Sequence, residues 1–426
     1  MDGTDIEIEI NHLFRKESGK MVSVLAGIFG TENYELAEDV VQDALLSAME
    51  SWKIRGLPDN PRAWLYKTAK NRAVDILRKE KRNTTIDFSD PERKPLITGY
   101  ALSEAMEHRW SDERINDDFL GMMYACCHPE ISEENQKTFI LKSLCGFSSK
   151  EIAKAFLTNE QTISKRLYRT KSFFRTTKIK PEVPAEAEIA PRTRAVLEVI
   201  YLIFNEGYNS TQSDHLIRKD LVSQAMFLCR SLIDNTKTHL SEAYALMALM
   251  CLHTSRTPGR VSETGDIIPM EKQDRKKWNK ELINAGIDYL VKSAIGESAS
   301  NYHLEAAIAY EYCTAKSYES TNWKNILRYY NMLYKQTPDP VILLNRCIVL
   351  MEHKGAEEAM KDLQKLKNER SIEKYYLYHA IAGEIHSRLG EKETAVSHLK
   401  KAKELTHSAK EKRFITEKIS MICTTT

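Results

Sequence analysis

Apolar residues recur at three- and four-residue spacing along almost the whole chain, and strand-like alternation appears only at "IEIEI" near the N-terminus. A helix puts residues three and four apart on one face, whereas a strand alternates every two. One short alternating run cannot build a sheet, so the expected fold class is all-α. At 426 residues the chain is too long for one ordinary domain. Prolines mark the joints: Pro91 and Pro95, then Pro181, Pro184 and Pro191, then Pro338 and Pro340. The chain therefore divides into a first module, 1–82, a flexible linker, 83–115, a second module, 116–177, a Pro/Glu/Ala linker, 178–192, and a long helical remainder, 193–426.

The formal net charge is only +2, but the charges are not evenly spread. "TENYELAEDVVQDALLSAMESW" carries Glu32, Glu35, Glu38, Asp39, Asp43 and Glu50 with no Lys or Arg. Val40, Val41, Ala44, Leu45 and Ala48 form its apolar stripe. "NPRAWLYKTAKNRAVDILRKEKR" inverts the sign, with Arg62, Lys67, Lys70, Arg72, Arg78, Lys79, Lys81 and Arg82 against Asp75 and Glu80. Trp64, Leu65, Ala69, Ala73, Ile76 and Leu77 make its buried face, and Pro61 suits a helix start. A basic helix is commonly just a solvated face. Interleaved Trp64 and Tyr66, and a second basic segment, favour nucleic acid, where cations neutralise phosphate and rings stack on exposed bases.

That second segment is "GFSSKEIAKAFLTNEQTISKRLYRTKSFFR". Ser148 or Ser149 can cap a helix that buries Ile152, Ala153 and Phe156. After a tight turn, a second helix buries Ile163, Leu167 and Phe174. Its other faces carry Thr162, Ser164, Lys165, Arg166, Arg169, Lys171 and Arg175. This is a helix-turn-helix pattern, whose second helix would enter the major groove.

The remainder is weakly self-similar. "GAEEAMKDLQKL" from Gly355 and "GEKETAVSHLKKAKEL" from Gly390 both open on Gly and share Ala359 or Ala395 and spaced apolar residues. Their offset is close to the ~34-residue tetratricopeptide period, and Gly383 and Ala402 fit its small-residue positions.

The order "AEDVVQDALLSAMESW", then "NPRAWLYKTAKNRAVDILRKEKR", then a helix-turn-helix resembles the extracytoplasmic-function (ECF) sigma factors of bacterial RNA polymerase. "YLIFNEGY", "ALMCLHTSR", "QDRKKWNKELINAG" and "PVILLNRCIVL" resemble the helical, tetratricopeptide-like extension of one branch, as does the Cys126-Cys127-His128-Pro129 run. The resemblance implies sigma domains two and four joined by a flexible linker. It implies core RNA polymerase (its β′ clamp helices and β flap) and promoter DNA as partners. Asp39, Gln42 and Asp43 would dock on polymerase. The loop "WKIRGLPDN" would hold a flipped minus-ten base, with Arg62, Trp64, Lys67, Lys70, Asn71 and Arg78 contacting or supporting the melted strand. Lys142, Thr162, Ser164, Lys165, Arg166 and Arg169 would grip the minus-thirty-five element. One departure is Glu160-Gln161, where many relatives have a small residue and glycine; it leaves the promoter sequence open.

Cys126, Cys127 and His128 suggest zinc, but a zinc site needs about four converging ligands, and only Cys145 and His108 are near. Packed cysteines are the expectation, with no metal and no cofactor. None of the eight cysteines forms a C-x-x-C pair, which favours a reducing cytoplasm. The acidic "MDGTDIEIEI" is unlike a signal peptide, and "AVLEVIYLIF", broken by Glu198, is too short to span a bilayer. No membrane role is expected. In the extension, Glu206, Asp274 and Arg275 are polar candidates without a nucleophile–base pair, so regulation through a protein or peptide ligand is expected there and catalysis is not. A helix-turn-helix regulator with a repeat-based sensor, acting without polymerase, is the alternative. The acidic "LAEDVVQD" helix weighs against it, because a simple DNA reader has no use for an acidic docking face.

Overall fold

The computed structural model describes the chain except residues 1–2, 81–107, 157, 209–217, 236–239, 263–265, 296–298, 367–371, 373, 407 and 425–426. Most of the expected 83–115 linker lies outside the described residues. Among the described residues the fold is all-α, with a single isolated bridge, Val261 to Ile267. No described helix is long and apolar enough to cross a membrane. Two compact units form: 1–202 with 234–238, and 203–233 with 239–426.

The first unit opens with α1 (Gly3–Phe29), α2 (Tyr34–Arg55) and α3 (Pro61–Glu80). α2 buries Tyr34, Ala37, Val40, Val41, Ala44, Ala48 and Trp52, a stripe at helical spacing. α3 buries Leu65, Ala69, Ala73 and Leu77, while Trp64 and Ile76 are half-buried. Then come α4 (Asp112–Cys126), α5 (Glu133–Ser143), α6 (Ser149–Ala155) and α7 (Glu160–Thr177). α4 starts at Asp112, inside the stretch expected to be linker, because Ser111 caps it by accepting from the Arg114 amide at 3.4 Å. Ser148 and Glu151 close a capping box on α6, and Asn159 caps α7. α7 buries Ile163, Leu167, Thr170 and Phe174.

α8 (Glu186–Tyr208) begins within the expected 178–192 joint and carries the chain from one unit to the other. Its first turns belong to the interior of the first unit. Arg192 donates to the Tyr124 carbonyl at 2.5 Å, and Tyr124 and Thr193 share a hydroxyl hydrogen bond of 2.5 Å. The chain ahead of α8 presses on α4 at Gly121, where a Cβ would stand 2.2 Å from the Pro181 carbonyl oxygen.

The second unit continues with α9 (Lys219–Asp234), α10 (Ser241–Ser255), a short α11 (Thr257–Arg260), α12 (Lys280–Ser293), α13 (Asn301–Thr314), α14 (Trp323–Gln336) and α15 (Pro340–Lys354). It ends with α16 (Ala356–Lys365), α17 (Tyr376–Arg388), α18 (Lys392–Leu405) and α19 (Ala409–Thr424). α10 is buried on nearly every side, from Ala245 through Leu252, as a central helix must be. Two helix pairs approach by the same device. Gly286 of α12 sits over Ala248 and Leu252 of α10, and Gly383 of α17 sits over Ala395 and Leu399 of α18. In both, an added Cβ would stand 2.7 Å from the leucine Cγ. Ala359, Ala395 and Ala402 are fully buried, as the repeat pattern expects.

Candidate nucleic-acid interface

α3 is fixed by its apolar stripe, which leaves a basic face outward. Arg62, Lys67, Lys70 and Asn71 line one cleft of about 400 Å³, together with Tyr66, Trp110 and Asp112. Tyr66 is held by its hydroxyl, which donates to buried Glu17 at 2.7 Å, and by Trp110, edge-on at 5.3 Å. The Arg62 guanidinium lies 4.9 Å from the Tyr66 ring centre and donates to Asp112 at 2.7 Å and Glu17 at 3.3 Å. Partial burial and the neighbouring Lys67 charge push the Lys70 ammonium below its usual value. A cleft with two lysines, a stacked guanidinium and two rings suits a phosphate-bearing strand with an unstacked base.

Two expected residues lie apart from this cleft. Trp64 is edge-on to buried Trp52 at 5.4 Å, so it anchors the α2–α3 corner. Arg78, at the far end of α3, faces Asp75 at 3.9 Å and is largely exposed. The loop between α2 and α3 turns at Gly56, whose φ of 78° is in the left-handed region. Ile54, in the last turn of α2, is 86% exposed, and Asn60 closes the loop by accepting from the Ala63 amide at 3.0 Å.

On α2, Asp39 and Gln42 are exposed, while Asp43 pairs with Arg72 of α3 at 2.9 Å. The other flank of α2 is covered by the second module. Lys171 pairs with Glu38 at 2.6 Å and Arg175 with Glu35 at 3.0 Å. Between them Tyr34 of α2 enters an aromatic core with Phe139 at 5.0 Å and Phe174 at 6.4 Å. Gly19 of α1 admits Leu144 so closely that a Cβ would stand 2.2 Å from its carbonyl oxygen. Arg15 adds an ion pair to Glu151.

On α7, Ser164, Lys165 and Arg169 are exposed. The Thr162 hydroxyl donates to its cap, Asn159, at 3.0 Å. Arg166 is turned inward, 3.0 Å from Glu134, which Lys137 also contacts. Lys142 lines a small pocket with Tyr34, Glu38 and Gln42. The sequence signals missed Trp110 and Asp112, which complete the cleft from elements distant in sequence, and Glu17, which holds Tyr66 and Arg62 from behind.

Cys126 and Cys127 end α4 and are buried. Burial pushes the Cys127 thiol up to about 12, against the pull of Arg192. Cys126 is likewise raised, by burial first and then by Cys127 and Cys145. Both therefore stay protonated near neutral pH, poor ligands and poor nucleophiles. His128 packs on Phe173 at 5.2 Å, and its Nδ1 accepts from the Glu130 amide at 3.3 Å.

Residues 13–83 match the family model described as sigma-70 region 2, and 122–173 match sigma-70, region 4. Residues 192–294 match a family of unknown function, DUF6596. The chain is 30% identical over 358 residues, 84% of its length and 83% of the relative's, to the uncharacterized protein R00370 of Rhizobium meliloti (strain 1021). It is 25% identical to the RNA polymerase sigma factor SigV of Bacillus subtilis (strain 168), covering 34% of this chain and 76% of SigV. A probable RNA polymerase sigma factor of Haemophilus influenzae is also 25% identical, covering 32% of this chain and 74% of that protein. No solved structure matches the chain.

Proposed function

The chain belongs to the ECF-type sigma factors, in a branch with a long helical extension, and from that premise we propose that it docks on core RNA polymerase, opens a promoter and starts transcription. The cleft that gathers Arg62, Lys67, Lys70 and Asn71 beside Tyr66 and Trp110 carries this reading. Asp39 and Gln42 offer the docking face, with Asp43 held by Arg72. The cleft holds the minus-ten strand, where flipping one base costs a few kcal/mol, offset by stacking and phosphate contacts. Ser164, Lys165 and Arg169 meet the minus-thirty-five duplex. Arg166 supports them from inside through Glu134.

The two promoter elements lie roughly 25 base pairs apart, or about 85 Å at ~3.4 Å per pair. A module of roughly seventy residues has a radius of gyration of about 11 Å, so two in contact reach only about 55 Å. Modules that share the Tyr34–Phe139–Phe174 core cannot serve both elements at once. The closed arrangement is thus a resting state, and polymerase docking parts it. The extension supports regulation of that step.

Run-off transcription with purified core polymerase tests the reading. Glu38→Cys and Lys171→Cys, joined by a short bis-maleimide, should abolish initiation, and the uncrosslinked double variant should retain it. Equal initiation from the crosslinked protein would show that the modules need not part. No initiation from the wild-type chain on any genomic template would remove the premise of promoter opening.

A further inference from the structure

Between α10 and α12 the second unit passes through the short α11, the Val261–Ile267 bridge and two 3-10 turns, Met270–Lys272 and Arg275–Lys277. The "HTSR" and "QDRKKW" stretches meet there. Arg256 is 8% exposed. Its guanidinium lies 5.5 Å from the Trp278 ring centre and 5.8 Å from that of Tyr312. Arg275 lies over the same indole at 4.6 Å, its Nη1 donating to the Tyr312 and Ala315 carbonyls at 2.6 and 2.9 Å. Gly259 makes the fit possible, since a Cβ there would stand 2.7 Å from the Trp278 Nε1.

Around the indole the donors lack acceptors, while in the same turns Gln273 Oε1 is a buried acceptor without a donor. Arg256 Nε, Arg275 Nη2 and Trp278 Nε1 are buried without a hydrogen-bond partner, as is His253 Nδ1. Arg256 Nη2 faces only the Met270 thioether, at 3.0 Å, a weak acceptor. No carboxylate of a described residue pairs with Arg256 or Arg275. The nearby carboxylates act only through their fields or on the rings: exposed Glu319 on Arg275, and Glu352, which Arg388 holds at 2.6 Å, on Tyr312. Burial pushes the Tyr312 phenol up to about 12 and also raises the Cys313 thiol, in both cases against the pull of Arg256. Burial, then the Arg256 and Arg260 charges, drive His253 down to about 3, so it is neutral and adds no cation.

Each buried orphan donor costs about 1–3 kcal/mol, and more when charged, so a native protein supplies the partner from elsewhere. Water can accept hydrogen bonds but cannot neutralise two guanidiniums sharing one indole. We propose that the Arg256–Trp278–Arg275 cluster is a binding site for a small oxyanion, a phosphate or carboxylate group of a soluble ligand. The two guanidiniums and the indole N–H grip its oxygens. The proposal is independent of the transcriptional reading, because it concerns a different unit and a binding readout.

The test uses the full chain in chloride buffer of fixed ionic strength. Inorganic phosphate, pyrophosphate and malonate are titrated while the melting temperature and heat of binding are followed. At least one probe should bind saturably at millimolar concentration or below and raise the melting temperature. Arg275→Gln should weaken that binding at least tenfold while circular dichroism stays unchanged. Trp278→Phe, which keeps the ring and removes the donor, should weaken it by a smaller factor. A preference for the phosphates over malonate, or the reverse, identifies the source. No saturable response to any probe would overturn the proposal, as would a response equal in Arg275→Gln, which marks an adventitious ion only.

Discussion

The two units treat their cations differently. In the first, Lys171 and Arg175 meet Glu38 and Glu35, Arg62 meets Asp112 and Glu17, and Arg15 meets Glu151. Lys171, Arg175 and Arg15 thereby join the two modules, and Arg62 ties α3 to α1 and to the start of α4. In the second, Arg346 finds Asp362 in the same way, but Arg256 and Arg275 find rings and no carboxylate. Paired cations in a protein describe a closed structure. Cations packed on aromatics without a counter-ion describe a structure prepared for an anion from outside.

The largest effect is expected where the first unit's pairs converge. Phe174→Ala removes the ring shared by the two modules and should cost about 3–5 kcal/mol. Because that ring also belongs to the second module, small-angle scattering must accompany the melt. A larger radius of gyration with helicity retained means the modules have parted; loss of helicity means that module has unfolded.

The contrast between units is sharpened by one substitution made twice. Arg346→Met leaves buried Asp362 with only Lys365, and should cost about 3 kcal/mol. Arg256→Met strands no carboxylate and relieves an uncompensated charge, so the ligand-free protein should melt at the same temperature or higher. Equal losses in the two variants would mean that Arg256 has a counter-ion after all.

A smaller effect is set by pH. Glu206, in the second unit, is raised to about 7 by burial, against the pull of Arg218. Its folded pKa exceeds the unfolded value, so the fold binds more protons between roughly pH 4.5 and 7. Its contribution is therefore favourable below that window and is lost as pH rises through 7. His253 works in the opposite sense, losing stability as pH falls below its unfolded value near 6.5. The difference between wild type and Glu206→Gln isolates the first: the variant should melt higher at pH 8 and about equally at pH 4, below the unfolded value. A constant offset across pH would assign Glu206 no titration in this range.

Local features of this molecule were legible from residue order. The stripes of α2, α3 and α7, the capping serine of α6 and the clustering of α3 cations follow from three- and four-residue spacing, which the backbone enforces. Burial of Cys126 and Cys127 was legible from chemistry, since four ligands were not at hand. Pairings between distant elements were not. Nothing in the spacing of Tyr34, Phe139 and Phe174 announces one core, and Trp110 stood in a stretch that looked like linker. Arg166 shows the limit within a single helix. Its position suits DNA contact, yet Glu134 on α5 draws it inward. "HTSR" and "QDRKKW" stood out as motifs, but only folding brings Arg256 and Arg275 onto one indole.

The seat of α8 on α4 has a practical consequence. The Tyr124 carbonyl accepts from Arg192, its hydroxyl shares a hydrogen bond with Thr193, and the Gly121 notch accepts the chain at Pro181. The helix-turn-helix module therefore borrows part of its interior from the beginning of the tail. A truncation at residue 180 would expose that interior and confuse loss of regulation with loss of folding. Anyone grafting this tail onto another promoter-recognition module, or removing it, should place the seam beyond Leu202, past the turns of α8 that belong to the first unit.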